Sequence, residues 1–444
     1  MRFRSWILSA AMLLLAASPM FAGNLAVGTC EPSYTSFPSI SAAVSAAPAS
    51  GSTTVYVCPG TYPEQVRITK KITLKGVAFD GANAAVITPP PGGLVTNATS
   101  TFNGGNIQAM VLVQNATATV EDLTLDATGN GAVCGGDPIG IFYQNANGTI
   151  TRNSVLNVQV VGAFGCQGGL GIYLQSGPTT GSPNPSNAAD ATVIISYNVV
   201  ENYDKNGITA DGTPTGNTSN VNATISYNTV MGAGEVSDNA QNGIQMYGAN
   251  GSITNNVIDG NWYAPSVCSN QGCYVATGVL VLQSYAPIIN TNYISNSNVG
   301  IYVASINPGD TNNATVNSNV ISANHEYTAG GSGGDGILLC ANNSTATLNK
   351  INGSDESGIH VDWCGDLTPT DTATGNTINS GCAGILVDPP ATGTTTPNTY
   401  YNAGTQVLTT ALDVCAPALG PMKGAATSRP HPTASPARER PSKQ

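Results

Sequence analysis

The sequence predicts an all-β solenoid, one elongated domain in which short strands stack in parallel, coil upon coil. Three observations predict it. First, two short phrases alternate along the chain. One reads apolar-x-x-Asn-x-apolar, as in Ile225-Ser226-Tyr227-Asn228-Thr229-Val230. It recurs around Asn153, Asn198, Asn228, Asn256, Asn292, Asn319, Asn349 and Asn376. The other reads Gly-apolar-x-apolar, at Gly140, Gly171, Gly207, Gly243, Gly278, Gly300, Gly336, Gly358 and Gly384. Second, the shortest Asn-to-Gly gap is 8 residues (Asn292 to Gly300) and the shortest Gly-to-Asn gap is 13 (Gly243 to Asn256). The minimal repeat is thus about 21 residues, within the range of solenoids. Third, apolar residues alternate within each phrase, the period of a strand and not of a helix, and Val, Ile and Thr dominate.

The chain begins with a signal-peptide pattern over residues 1–22. Arg2 and Arg4 precede an apolar run from Trp6 to Ala17 that is too short to span a bilayer. Residues 23–75 read as an N-terminal cap and first coil. Pro38 opens a short helix in which Ile40 and Val44 share a face, and Pro48 ends it. Such a helix covers the open end of the first coil. Glu64 reads as a turn carboxylate that bonds backbone. Residues 76–412 carry the coils, irregular before Gly140 and regular after it. Stacked on one another, like residues form columns about 4.8 Å apart. Asn suits the turn because it tolerates left-handed backbone and its amide bonds along the column; Gly is expected to open its strand for the same backbone reason. Beyond Pro417 the apolar period stops and Pro, Ser, Ala and basic residues take over. Residues 413–444 are expected to be a disordered tail.

The alternating Asn and Gly phrases resemble the right-handed parallel β-helix of the pectin-lyase-like superfamily. The turn Cys58-Pro59-Gly60-Thr61-Tyr62-Pro63-Glu64, followed by Ile72-Thr73-Leu74-Lys75-Gly76, is similar to the first coil of pectinesterase-type β-helices. The resemblance implies a single-stranded right-handed parallel β-helix with a short N-terminal cap helix. It does not imply an activity, because that superfamily holds lyases, hydrolases, esterases, epimerases and proteins without catalysis. The chain lacks the Asn-Thr-Asp, Asp-Asp and His-Gly set of polygalacturonases, and the Gln-Asp-Thr and Asp-Phe-x-Phe-Gly of pectinesterases.

Insertions fall on both sides of the Gly strand and never at the Asn turn. In the resembling enzymes this face carries the substrate groove. The second and fourth residues after each Gly point outward. They include Tyr173, Gln245, Tyr247 and Tyr302, which with the loop residue Trp363 are expected to bind sugar. His360, Asp362 and Asp388 stand near one end, and Asp335 precedes its strand. Asp388 repeats the position of Asp362 one coil later, so their backbones are expected near 4.8 Å apart. That suits the carboxylate pair of a retaining glycosidase, so these four are the candidate catalytic residues.

Charge narrows the ligand. The formal net charge is −11, and between Gly76 and Met422 the only Lys and Arg residues are Arg152, Lys205 and Lys350. Polyuronates need several cations or bound calcium, so a mainly neutral extracellular glycan is expected, and nucleic acid is disfavoured. Lys205 is an alternative as a lyase base, although two nearby carboxylates, Asp204 and Asp211, oppose a lowered pKa. A non-catalytic surface solenoid is the rival to all these readings. No cofactor or metal is expected. No cysteine pair near a histidine shows zinc-ligand spacing, and the calcium nonapeptide pattern at Gly330–Leu338 occurs once where tandem copies are needed. Ten cysteines in an exported monomer favour disulfides. Cys134 and Cys166 lie six and five residues before Gly140 and Gly171, one coil apart. Cys30 with Cys58, Cys268 with Cys273, Cys340 with Cys364 and Cys382 with Cys415 complete the set.

Overall fold

The computed structural model describes residues 23–410, apart from 80–81, 161–167, 178–189, 216–217, 266–273, 306–312, 328–331 and 364–368, together with 433–434. The segments expected as signal peptide and, for the most part, as tail lie outside these residues.

Each regular coil contains three short strands, and like strands stack into three long sheets. One coil shows the plan: Val221–Ser226 in sheet A, the corner at Asn228, Thr229–Val236 in sheet B, then Asn242–Tyr247 in sheet C. Its residues pair in parallel with the next coil, Ile225 with Ile253, Val230 with Ile258 and Ile244 with Val279. Among the described residues the sheets reach 14, 12 and 13 strands. This is the parallel β-helix that the two phrases predict, with one refinement. The Asn phrase is not a single strand; it is the end of one strand and the start of the next. Each strand points one or more side chains inward, so Ile225, Val230 and Ile244 join their copies in a continuous apolar core.

The Asn column is an unbroken ladder. Asn153, Asn198, Asn228, Asn256, Asn292, Asn319, Asn349 and Asn376 each donate Nδ2–H to the Oδ1 of the next Asn at 3.0 Å, ending on Asn398, a rung the sequence pattern did not reveal. The same Oδ1 also accepts the backbone N–H of the Asn before it, as Asn256 Oδ1 does from Asn228. The left-handed turn falls one residue earlier than expected. Arg152, Tyr197, Tyr227, Asn255, Thr291, Ser318 and Leu348 hold φ between 54° and 57°. The ladder Asn is therefore selected by its side chain, which satisfies buried corner amides, and not by its backbone.

The Gly column also has a different cause from the one expected. These glycines do not have positive φ; space selects them. A Cβ at Gly278 would lie 2.3 Å from Ile294 Cγ2 and 2.7 Å from the Gly300 carbonyl oxygen, and the same two contacts recur at Gly243, Gly300, Gly336 and Gly358. The strand of sheet C starts so close to the inward Ile of sheet B that no side chain fits.

At the N-terminal end, Leu25–Val27 already pairs with Thr53–Val57, so the sheets begin before the cap helix. The helix runs Ile40–Ala46 with Ser39 as N-cap, and buries Ile40, Ala43 and Val44 over the first coil. Glu64 accepts the free N–H groups of Ile40 at 2.8 Å and Ser41 at 2.9 Å. Lys70 Nζ binds the carbonyls of Ser45 and Ala47 at the other end. Both charges suit the helix dipole. The Cys30–Cys58 disulfide closes the cap, with Cα atoms 5.6 Å apart. Cys134, Cys340 and Cys382 are also disulfide-bonded. Cys166, Cys268, Cys273, Cys364 and Cys415 lie outside the described residues, and with them the other four expected pairings.

Candidate functional site

The outer face of sheet C was expected to be an open groove. It is instead a second, covered layer whose chemistry changes along the axis. At the N-terminal end, Ala98–Thr99 pairs antiparallel with Asn106–Gln114 and folds over the sheet. Tyr173 lies beneath this segment, its ring stacked on Phe142 at 5.1 Å. Its hydroxyl donates to Asp211 Oδ2 at 2.6 Å and accepts from Gln175 Nε2 at 2.7 Å. Next comes an amide network, in which Gln245 Oε1 accepts from Asn206 Nδ2 at 3.0 Å. Beyond it, Leu280, Leu282, Tyr302, Leu338 and Cys340 pack against Tyr263, Val275 and Ala276 as an apolar cluster. Tyr173, Gln245 and Tyr302 are thus enclosed, because loops that flank the sheet fold across it. Tyr247 and Trp363 are half-buried, Tyr247 against the apolar cluster and Trp363 against the core.

The last zone is charged. Strands Asp335–Cys340, Ser357–Val361 and Ala383–Val387 are consecutive in sheet C, with Leu338 opposite His360 and His360 opposite Leu386. The His360 ring sits between two carboxylates. Its Nδ1 is 3.4 Å from Asp335 Oδ2 and its Nε2 is 3.5 Å from Asp388 Oδ2. Ser357 Oγ holds the other Asp335 oxygen at 2.6 Å. Asp362 completes the group. One ligating atom from each of His360, Asp362 and Asp388 lies within 4.8 Å of the others. The Asp362 and Asp388 backbones stack as expected, their N–H groups donating to Leu339 and Val361 on successive strands.

All four side chains are buried, at 0% exposure for His360, Asp335 and Asp362 and 2% for Asp388. Burial by itself pulls the His360 pKa down. Asp335, Asp388 and Asp362 outweigh it and hold the imidazole well above its ordinary range. Tyr302, within range of Asp335 and Asp362, is raised by burial and by their charges. Ser357 was not foreseen as a member. Its signal was available, since it stands directly before Gly358 as Asp335 does before Gly336, in a third outward column.

Lys205 lies elsewhere on the outer side, fully buried, with Nζ donating to the Ala240 carbonyl at 2.6 Å. Burial lowers its pKa to about 7 against the opposing charge of Asp204, itself raised to about 6 by burial. Of the two carboxylates expected to oppose a lowered lysine pKa, Asp204 does so but burial outweighs it, and Asp211 accepts a hydrogen bond from Tyr173. The open surface lies on sheet B, where Tyr293, Val320, Ser322, Lys350, Asn352 and Tyr401 line a shallow concavity.

Comparison with known proteins yields a likeness of fold. No family model matches the chain, and no curated protein matches it. The mannuronan C-5 epimerase AlgE4 A-module of Azotobacter vinelandii superposes with a TM-score of 0.51 at 16% identity, covering 83% of this chain and 92% of that one. The AlgE6 A-module of the same organism gives 0.47 at 17%, covering 84% and 92%. The catalytic domain of a GH87 α-1,3-glucanase gives 0.47 at 11%, covering 90% and 70%. The first of these likenesses establishes that the chain shares the parallel β-helix fold.

Proposed function

We propose that this is an exported β-helix protein that acts on a mainly neutral polysaccharide, with His360, Asp362, Asp388 and Asp335 as its reactive centre. One observation carries the reading. On the three preceding coils the columns of His360 and Asp362 hold Leu280 and Leu282, Tyr302 and Ala304, then Leu338 and Cys340, all packed and apolar. On those coils apolar packing suffices to fill this face, and nearer the N-terminus a hydrogen-bonded polar layer does so. Replacing the apolar packing by three carboxylates and an imidazole costs several kcal/mol in desolvation, a cost expected where chemistry needs those groups. Asp362 and Asp388 suit the acid and nucleophile of a retaining hydrolysis, and His360, between Asp335 and Asp388, supplies a positive charge beside them. Because all four are buried, substrate reaches them only after the site opens.

The disulfides are consistent with an oxidising compartment, and among the described residues no helix is long and apolar enough to cross a membrane. A fold shared with a mannuronan C-5 epimerase is consistent with work on polysaccharide. The test is to change Asp362→Asn and Asp388→Asn separately and assay a panel of neutral oligosaccharides. The parent chain is expected to cleave at least one, and each variant to lose about 100-fold or more. Equal cleavage by parent and both variants sinks the assignment.

The second reading, a non-catalytic glycan-contacting solenoid, draws on the exposed rings of Tyr293 and Tyr401 on sheet B. It predicts binding to a glycan array that Tyr293→Ala and Tyr401→Ala weaken and the Asp variants do not.

A further inference from the structure

We propose that His360, Asp362 and Asp388 form a binding site for one divalent transition-metal ion of the zinc or manganese class. Three features of the geometry point to it. The ligand set is right for such ions: one imidazole nitrogen and two carboxylates, converging from two adjacent coils. The imidazole is also oriented as a metal ligand is. Asp335 lies 3.4 Å from Nδ1 and is itself held by Ser357 at 2.6 Å, so the tautomer protonated on Nδ1 has a carboxylate behind it and leaves Nε2 facing Asp388. A carboxylate behind the non-ligating nitrogen is the usual support of a metal-bound histidine. Finally, the spacing fits. Nε2 to Asp388 Oδ2 is 3.5 Å. Two ligands at about 2.0–2.1 Å from one tetrahedral ion stand about 3.3 Å apart, close to that separation. Asp362 has a carboxylate oxygen within 4.8 Å of both and completes the ligand set.

Column counting groups these residues, and the fold brings their side chains together. His360 and Asp362 are two residues apart, but Asp388 joins them only by stacking one coil later. The ion takes the place of the Nε2 proton and draws together carboxylates that otherwise repel. The proposal uses the same cluster as the hydrolytic reading and adds a consequence to it. Asp362 and Asp388 cannot bind the ion and serve as acid and nucleophile together, so metal is expected to inhibit any paired-acid cleavage.

The experiment measures binding and does not depend on activity. The full chain is stripped with EDTA, dialysed and titrated with ZnCl2 and MnCl2 by calorimetry, with MgCl2 for comparison. One equivalent of zinc or manganese is expected to bind at micromolar Kd or tighter, with magnesium much weaker. Asp388→Asn and Asp362→Asn should each weaken binding at least tenfold, and Asp335→Asn about 10–100-fold through loss of the histidine's support. His325→Ala, a change at a half-exposed histidine outside the cluster, should leave it unaltered. Circular dichroism confirms that each variant is folded, and the three Asn variants keep the test usable if His360→Ala is not. The stripped protein loaded with Co2+ should show the intense visible absorption of a four-coordinate site, lost in Asp388→Asn. Absence of binding overturns the proposal, as does binding that the three Asp variants leave unchanged or that His325→Ala abolishes. If metal binds as expected but no glycan is cleaved, the metal site stands and the hydrolytic reading fails.

Discussion

Asn256→Ala interrupts the Asn ladder at its middle. Asn256 Nδ2 donates to the Ile225 carbonyl at 3.0 Å, the Thr254 carbonyl at 3.1 Å and Asn292 Oδ1 at 3.0 Å. Its Oδ1 accepts from Asn228 N at 2.9 Å and Asn228 Nδ2 at 3.0 Å. Not all five losses count equally. Asn228 Nδ2 keeps the Ile195 and Ser226 carbonyls, and Asn292 Oδ1 keeps the backbone N–H of Asn256. The buried N–H of Asn228 loses its acceptor, which costs about 1–3 kcal/mol, and each other lost bond adds about 0.5–1.5 kcal/mol before local relaxation. A destabilisation of at least about 3 kcal/mol follows. Asn398→Ala, at the half-buried end of the ladder where water can replace the side chain, should cost about 1 kcal/mol. Urea unfolding followed by far-ultraviolet circular dichroism measures both. A lowered midpoint at unchanged slope means the solenoid unfolds as a unit. A shallower slope means the coils on one side of Asn256 unravel separately, as repeat stacks can. If Asn256→Ala falls within 0.5 kcal/mol of the parent, or costs no more than Asn398→Ala, the ladder is not what holds the corner.

Three further outcomes are expected. Gly278→Ala, which sets a methyl group 2.3 Å from Ile294 Cγ2, should cost at least about 2 kcal/mol, whereas Gly92→Ala or Gly129→Ala, in open space at positive φ, should cost about 1 kcal/mol; equal costs at all three contradict the packing account. Asp371 is held near pKa 7 by burial, against a hydrogen bond from Ser344 N. The folded state therefore keeps a proton that the unfolded chain releases near pH 4, and stability falls as pH rises from about 4 to 7. Asp371→Asn should gain a few kcal/mol over the parent at pH 8 and nothing at pH 4; a gain independent of pH contradicts this. Glu64→Ala removes the acceptor for Ile40 N and Ser41 N and should cost about 1–2 kcal/mol in thermal unfolding, with Glu64→Gln costing less; no loss in either means Ser39 caps the helix alone.

The coil itself was legible in the sequence because its information is repeated and local. Asn at a corner, β-branched residues on either side and Gly where two strands converge recur at each level, and stacking puts copies in register. The reasons were less legible than the residues. Gly was assigned to backbone conformation and Asn to both backbone conformation and an amide ladder; the ladder is present, but the left-handed residue is the one before each Asn, as Tyr227 stands before Asn228. The Gly is required by an Ile about 16 residues away in sequence, as Gly278 is by Ile294. His360, Asp362, Asp388 and Asp335 were legible as a group, since column positions follow from counting, and the stacking of Asp362 on Asp388 came out as counted. What the chain alone could not determine is whether that face is open. Tyr173, Gln245 and Tyr302 have the composition of a sugar-binding surface and are buried. Strand phase says which side chains point outward, but exposure depends on where irregular segments such as 98–105 and 274–276 fold. Those segments have no repeat to fix their path, so only the tertiary structure decides what they cover.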